Sequence, residues 1–303
     1  MTINSFFMPL KSFLEYLQLE KNYAETTIRA YKADLTQFQK FINQEFSEEK
    51  IEKVSYNQIR NWIVELSDSG ISNQSINRKM SSLKAYYKFL LKTSAIESSP
   101  LAKHRSLKAA KKIQVPFSEK EVLAVLDDFH GDTFEELRDK LMIELFYSTG
   151  IRRAELINIK EQDLDLGSNM LKVLGKRNKE RYIPLLKQVV STAERYVSLK
   201  RSNPLLRDCP YLFVTAKGYK SYESLVYRII NNYFSKVSGK VKKSPHILRH
   251  TFATHLLNQG ANMNAVKELL GHSSLASTQV YTHNSIAELS KIHKSAHPRN
   301  NNK

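Results

Sequence analysis

The chain has 303 residues, 41% of them apolar, which is room for two ordinary domains with packed cores and excludes wholesale disorder. Its net charge of +17 and sequence pI near 9.7 point to a polyanionic partner, above all nucleic acid, because phosphate neutralisation releases counterions. A single cysteine, Cys209, excludes an internal disulfide and suits a reducing cytoplasm, and no run approaches the ~18 apolar residues of a membrane helix.

The first stretch lacks a basic region followed by an apolar core, so it is not expected to be a secretory signal. Phe6, Phe7, Leu10, Phe13, Leu14 and Leu17 recur at helical spacing and predict the buried face of a first helix. Ile28, Tyr31, Leu35, Phe38, Phe41 and Ile42 predict a second. A third opens at Ser55, with Gln58 completing a capping box, and stops near Gly70. The fourth runs from about Ser72 to Lys92 on a stripe of Ile76, Met80, Leu83, Tyr87 and Leu90, with Arg78, Lys79 and Lys84 on its other faces. These four helices form a small bundle over 1–97. Residues 98–115 contain a proline and a run of bases that includes Arg105, Lys111 and Lys112, and read as a basic interdomain linker.

The second half, 116–303, opens on another capping box, Ser118 with Glu121. A helix at about 135–148 ends at Gly150, and Arg152 and Arg153 begin the next, with Glu155 in its first turn. An arginine there sits beside exposed backbone N–H groups, where an oxyanion would bind, although Arg-Arg-Ala-Glu also reads as ordinary surface charge. Leu171–Leu174 and Arg181–Leu185 predict a β-hairpin whose turn carries Lys176 and Arg177. A lysine there could protonate a leaving oxygen, and turns are also commonly lysine-rich. Helices are expected at about 187–200, 222–237, 245–259, 264–270 and 285–294, so the chain as a whole is mainly α with a small β-sheet.

On the helix that starts at Pro245, His246 and Arg249 are three apart and share a face, and both can donate to a phosphate. His246 and His250 have the spacing of zinc ligands, but Arg249 between them is a poor neighbour for a metal, and no metal or other cofactor is expected. Near the end, "LLGHSSLASTQVYTH" places His272 and Tyr281 together. A phenol with pKa near 10 attacks a phosphodiester only with cationic help and an outlet for its proton.

The ordered set Arg152 in "TGIRRAEL", Lys176 in "GKRNKER", His246 and Arg249 in "HILRH", His272 in "LLGHSS" and Tyr281 in "TQVYTH" resembles the tyrosine recombinase (phage integrase) family, more narrowly its Xer-type members. The resemblance runs over essentially the whole chain and is densest from "SPHILRHTFATHLL" to "YTH". It departs at Arg153, a position usually uncharged in the family, and the hairpin offers Lys179 beside Lys176; Lys176 is preferred for its place after Gly175.

The resemblance implies an N-terminal helical core-binding (SAM-like) domain at 1–97 and an α+β catalytic domain at 116–303 with a C-terminal helix, about 285–294, that docks on a neighbouring subunit. Arg152 and Arg249 would clamp the scissile phosphate, Lys176 protonate the 5′-hydroxyl, His246 and His272 complete the site, and Tyr281 form a 3′-phosphotyrosyl bond without metal or ATP. Arg78, Lys79, Lys84, Arg105, Lys111, Lys112 and Arg177 are the expected DNA contacts. Four protomers, of one kind or with a related recombinase, would act on two double-stranded DNA sites through a Holliday junction in the cytoplasm, with or without an accessory activator. Resolution of chromosome dimers at cell division is the expected role. The other readings are a mobile-element integrase with the same chemistry, a silent DNA-binding protein on this fold, and a relaxase of type IB topoisomerase character.

Overall fold

The computed structural model describes residues 4–48, 50–110, 114–175, 180–271 and 296–301. They divide into two contact units, Met1–Lys112 and Ile113–Lys303.

The first unit is built of α1 (Asn4–Glu15, continued by a π-helical turn, Tyr16–Glu20), α2 (Glu25–Phe46), α3 (Tyr56–Asp68) and α4 (Asn73–Lys92). The expected apolar stripes form its core: Leu10, Phe13, Leu17, Leu35, Phe38, Ile42, Ile59, Trp62, Ile76, Met80, Leu83 and Tyr87 are all buried. Helix α3 starts on the predicted capping box, with the Ser55 hydroxyl accepting from the Gln58 N–H and Gln58 accepting from the Ser55 N–H. After it the chain turns at Gly70 with φ +77°, a left-handed conformation that suits glycine.

Residues 98–110, expected as a linker, lie along this unit. Leu101 is part of the core. Asn77 on α4 donates its amide to the Leu107 carbonyl (2.9 Å) and accepts the Leu107 N–H (2.9 Å), and Asn73 donates to the Lys108 carbonyl (2.8 Å). Two asparagine side chains thus satisfy backbone groups that a free linker would leave to water.

The second unit contains α5 (Glu119–Asp127), α6 (Phe134–Thr149), the single turn α7 (Arg153–Leu156), a three-stranded antiparallel sheet, α8 (Lys187–Ser202), α9 (Glu223–Val237), α10 (Pro245–Asn258) and α11 (Met263–Leu269). The strands are β1 (Leu164–Asp165), β2 (Met170–Leu174) and β3 (Glu180–Pro184), in the order β1-β2-β3. Strand β1 was not anticipated; two residues carry no alternation to detect. In the hairpin Leu171 pairs with Ile183 and Val173 with Arg181, which puts Leu171, Val173, Arg181 and Ile183 on the buried face.

Helix α6 is the axis of this unit. Its "LMIELFYST" run is buried all round, Glu144, Ser148 and Thr149 included, with α8 and α10 packed against it. It ends at Gly150, φ +59°, where a Cβ would lie 2.4 Å from the Phe252 ring and 2.6 Å from Leu270. Only a residue without a side chain lets α6 end so close to α10 and to the end of α11. The last described residues dock on the same unit: His297 donates from Nε2 to the Tyr147 carbonyl (3.0 Å), and Arg299 pairs with buried Glu144 (3.1 Å). The helix expected at about 285–294 lies outside the described residues.

Candidate active site

The close contact at Gly150 creates the site. Arg152, two residues beyond, is the N-cap of α7 and keeps its side chain 32% exposed. Its backbone N–H donates to Glu155 Oε2 (2.9 Å), its Nη1 to Glu155 Oε1 (2.7 Å) and its Nη2 to the Gly271 carbonyl (3.1 Å). Glu155, read in the sequence as ordinary surface charge, is 8% exposed.

Arg249 approaches from α10, which begins with Pro245 in its first turn. It donates to the Gly150 carbonyl and, at 2.7 Å, to the Leu270 carbonyl. A guanidinium has five N–H donors, so both Arg152 and Arg249 keep donors for a ligand. Burial, then repulsion from Arg152 and Arg181 against the opposing charge of Glu155, lowers the Arg249 pKa to about 10, and it stays cationic at neutral pH. His246 is exposed one helical turn before Arg249 on the same helix.

A third arginine completes the cluster. Arg181, on the inward phase of β3, is 5% exposed and grips Glu155 with two hydrogen bonds, Nη1 to Oε1 (3.0 Å) and Nη2 to Oε2 (2.8 Å). Burial pushes the Glu155 carboxyl up, but the hydrogen bonds and charge of Arg181, then those of Arg152, outweigh it and hold the group below the usual carboxylate range. Three guanidinium groups against one carboxylate leave a surplus of two positive charges. A phosphodiester carries one negative charge and its pentacoordinate transition state about two, so the arrangement suits an anion that gains charge as it reacts.

Of the six expected catalytic residues, Arg152 and Arg249 are brought together and His246 shares the helix of Arg249. Lys176, His272 and Tyr281 lie outside the described residues. Arg153 points away to Glu223. Among the described residues no group of three or more His, Cys, Asp or Glu is placed to hold a metal ion.

Sequence reasoning missed Glu155 as a site residue and did not consider Arg181. One signal was available: in "ERYIP" the buried phase of the strand falls on Arg181 and Ile183, and a cation on a buried phase requires a partner.

The basic positions expected to touch DNA from the first unit are mixed. Arg78 is exposed but forks onto Asp34 (2.7 and 2.8 Å), a buried carboxylate that also accepts from Lys79 (3.1 Å) and Ser82 (2.7 Å). Burial raises the Asp34 pKa, and hydrogen bonds from Arg78, Ser82 and Lys79 more than reverse this. Lys79 is only 13% exposed. Lys84 reaches the His104 carbonyl (3.3 Å), and Arg105 is exposed. Lys111, Lys112 and Arg177 lie outside the described residues.

The sequence model of the phage integrase family matches residues 116–288, and that of the phage integrase N-terminal SAM-like domain matches residues 10–94. A protein named tyrosine recombinase XerC from Anoxybacillus flavithermus is 39% identical, covering 96% of this chain and 97% of its own length. Its namesake in Chlorobaculum parvum is 37% identical, covering 95% and 94%. In fold, the chain is similar to the crystal structure of the XerH site-specific recombinase bound to palindromic difH substrate, with TM-score 0.69 and 18% identity over 96% of this chain and 82% of that one.

Proposed function

The chain belongs to the phage integrase (tyrosine recombinase) family, and from that premise we propose that it is a site-specific DNA recombinase working through Tyr281, with Arg152 and Arg249 as its phosphate clamp. The observation that carries the reading is the convergence of Arg152 and Arg249 around the carbonyls of Gly150, Leu270 and Gly271, with donors to spare and a cationic surplus. The clamp holds the two non-bridging oxygens of a scissile phosphate. The Tyr281 oxygen attacks phosphorus, the bond to the 5′-oxygen breaks, and Lys176 gives that oxygen its proton. His246 and His272 donate to the phosphate and take part in moving the phenolic proton. The product is a 3′-phosphotyrosyl bond, which keeps the phosphodiester energy, so a 5′-hydroxyl from a second duplex reverses the step and completes strand exchange.

On this reading the substrate is double-stranded DNA, taken by four protomers on two sites, alone or with a related recombinase, through a Holliday junction. The helical domain, 1–97, and the catalytic domain, 116–303, both bind the DNA. The relatives named tyrosine recombinase XerC match this chain nearly end to end, and to this chain we assign the resolution of chromosome dimers at cell division, in the cytoplasm.

The test is covalent trapping. A library of chromosomal fragments carrying a nick near the candidate cleavage position is incubated with the protein and resolved on a denaturing gel. Wild-type protein should leave an adduct on a defined site, and Tyr281→Phe should bind that site and leave none. An adduct that persists in Tyr281→Phe, or a library that traps nothing, overturns the assignment.

A further inference from the structure

We propose that Arg181 is a positioning residue for strand cleavage: through Glu155 it ties the hairpin that carries Lys176 to the Arg152 clamp. The inference rests on the recombinase reading above and deepens it.

The four acceptor directions of the Glu155 carboxylate are all in use. Oε1 accepts from Arg152 Nη1 and Arg181 Nη1, and Oε2 from the Arg152 backbone N–H and Arg181 Nη2. Both guanidinium groups are thus held by the same buried carboxylate. Arg181 sits on β3 opposite Val173, next to Leu174 and Glu180, the last pair of the ladder before the connection between the two strands. The grip on Glu155 therefore holds the hairpin near the connecting end of its ladder, five positions after Lys176 in the sequence. The same guanidinium packs against Gly271, where an added Cβ would stand 3.2 Å from Arg181 Nη1. Gly271 precedes His272 and its carbonyl accepts from Arg152. One buried arginine thus touches the places from which the hairpin, the clamp and the His272 segment all start.

Fold stability alone does not account for this choice. A buried ion pair gains little over a well-packed apolar pair of the same volume, because both charges must be desolvated. Here the cation is also set near two others, one of which, Arg249, it helps to depress. A forked, rigid link between two catalytic elements does account for an arginine at a position where apolar packing would serve the strand.

The test separates positioning of the general acid from general damage. Cleavage is measured on the nicked duplex that traps wild-type protein, made once with the natural oxygen at the scissile 5′ position and once with a bridging sulfur. A thiolate leaves without a proton, so a defect in delivering the Lys176 proton vanishes on the sulfur substrate. General acids contribute ~10²–10⁴-fold. We expect Arg181→Met to lose at least about tenfold more on oxygen than on sulfur, because the lost charge slows both reactions alike and only the defect in proton delivery separates them. Arg181→Lys, which keeps the charge and loses the fork, should show the same pattern in weaker form and serves if the methionine variant misfolds. Lys176→Ala is the reference, and adding Arg181→Lys to it should cost little more on oxygen. Equal losses on both substrates, or no loss with either variant, overturn the inference while leaving the recombinase reading intact. Failure of wild-type protein to form an adduct on either substrate overturns that reading, and the inference with it.

Discussion

Replacing Arg249 with alanine sets the phosphate clamp against the fold. The side chain makes two hydrogen bonds to backbone carbonyls, those of Gly150 and Leu270, and carries a charge that burial and Arg152 disfavour. Truncation loses the first and relieves the second, so the two effects oppose and the second unit remains folded. Catalysis has no such offset. A unit charge ~4 Å from the developing charge is worth ~4 kcal/mol at an effective dielectric near 20, and each ~1.4 kcal/mol is tenfold, so the cleavage rate should fall about 1,000-fold. For binding, Arg249 is one phosphate contact among many. One contact contributes ~0.9 to the salt slope, which at ~0.15 M salt corresponds to about fivefold in affinity. The assay pairs the rate of adduct formation on the nicked site with affinity from fluorescence anisotropy over a salt series. Cleavage within about tenfold of wild type, or affinity and rate falling by the same factor, would refute the clamp assignment.

Gly150→Ala should destabilise the second unit by ~2–4 kcal/mol, from a left-handed conformation and a Cβ driven into Phe252 and Leu270; calorimetry checks it, and an unchanged melting temperature contradicts the packing account. Cleavage should run at an unaltered rate in excess EDTA, since the proposed chemistry uses only side chains; a loss that zinc or magnesium restores would return the metal reading. His255 is buried with its Nδ1 3.0 Å from the Tyr147 hydroxyl, and burial lowers its pKa against smaller opposing effects from Glu119 and the Phe117 backbone. The unfolded chain therefore takes up a proton on this residue as pH falls below about 6.5, where the folded state resists it, and stability declines by at most ~1.4 kcal/mol per pH unit from this group. In His255→Gln the decline between pH 6.5 and 5 should be shallower; an equal slope in the two proteins rules out His255 as its source.

Long apolar periods made α2, α3 and α4 readable, and the capping boxes at Ser55 and Ser118 fixed the starts of α3 and α5 because in each box the two residues satisfy each other locally. Features that depend on partners far along the chain were not readable. Glu155 looked like surface charge because its second cation, Arg181, comes from another element, and nothing near Asp34 signals that α4 will deliver Arg78, Lys79 and Ser82 to it. The 98–110 stretch lacked an apolar period for a different reason: it is held by the amides of Asn73 and Asn77 and by two isolated apolar residues, Leu101 and Leu107, rather than by a continuous hydrophobic face. For the candidate site, the two arginines named from the sequence lie in one cluster, Arg249 on the Gly150 and Leu270 carbonyls and Arg152 on that of Gly271. Their distance in sequence hides what brings them together, the side-chain-free contact at Gly150.

The charge arrangement follows from the same geometry. A site built for stability would pair its cations one to one, yet here Glu155 serves two arginines and Arg249 is left with carbonyl oxygens. Backbone carbonyls hold a guanidinium in place without cancelling its charge. The clamp is therefore oriented by neutral acceptors and one shared carboxylate while its field stays uncompensated. A ground-state phosphodiester would offset about half of that field and a transition state with one more negative charge nearly all of it. Interactions that strengthen as the reaction proceeds raise the rate, whereas interactions equal in both states only raise affinity. Full pairing of Arg249 with a carboxylate would steady the fold at the expense of this difference, which is why the under-neutralised cluster is better understood as a catalytic feature than as an imperfection of the core.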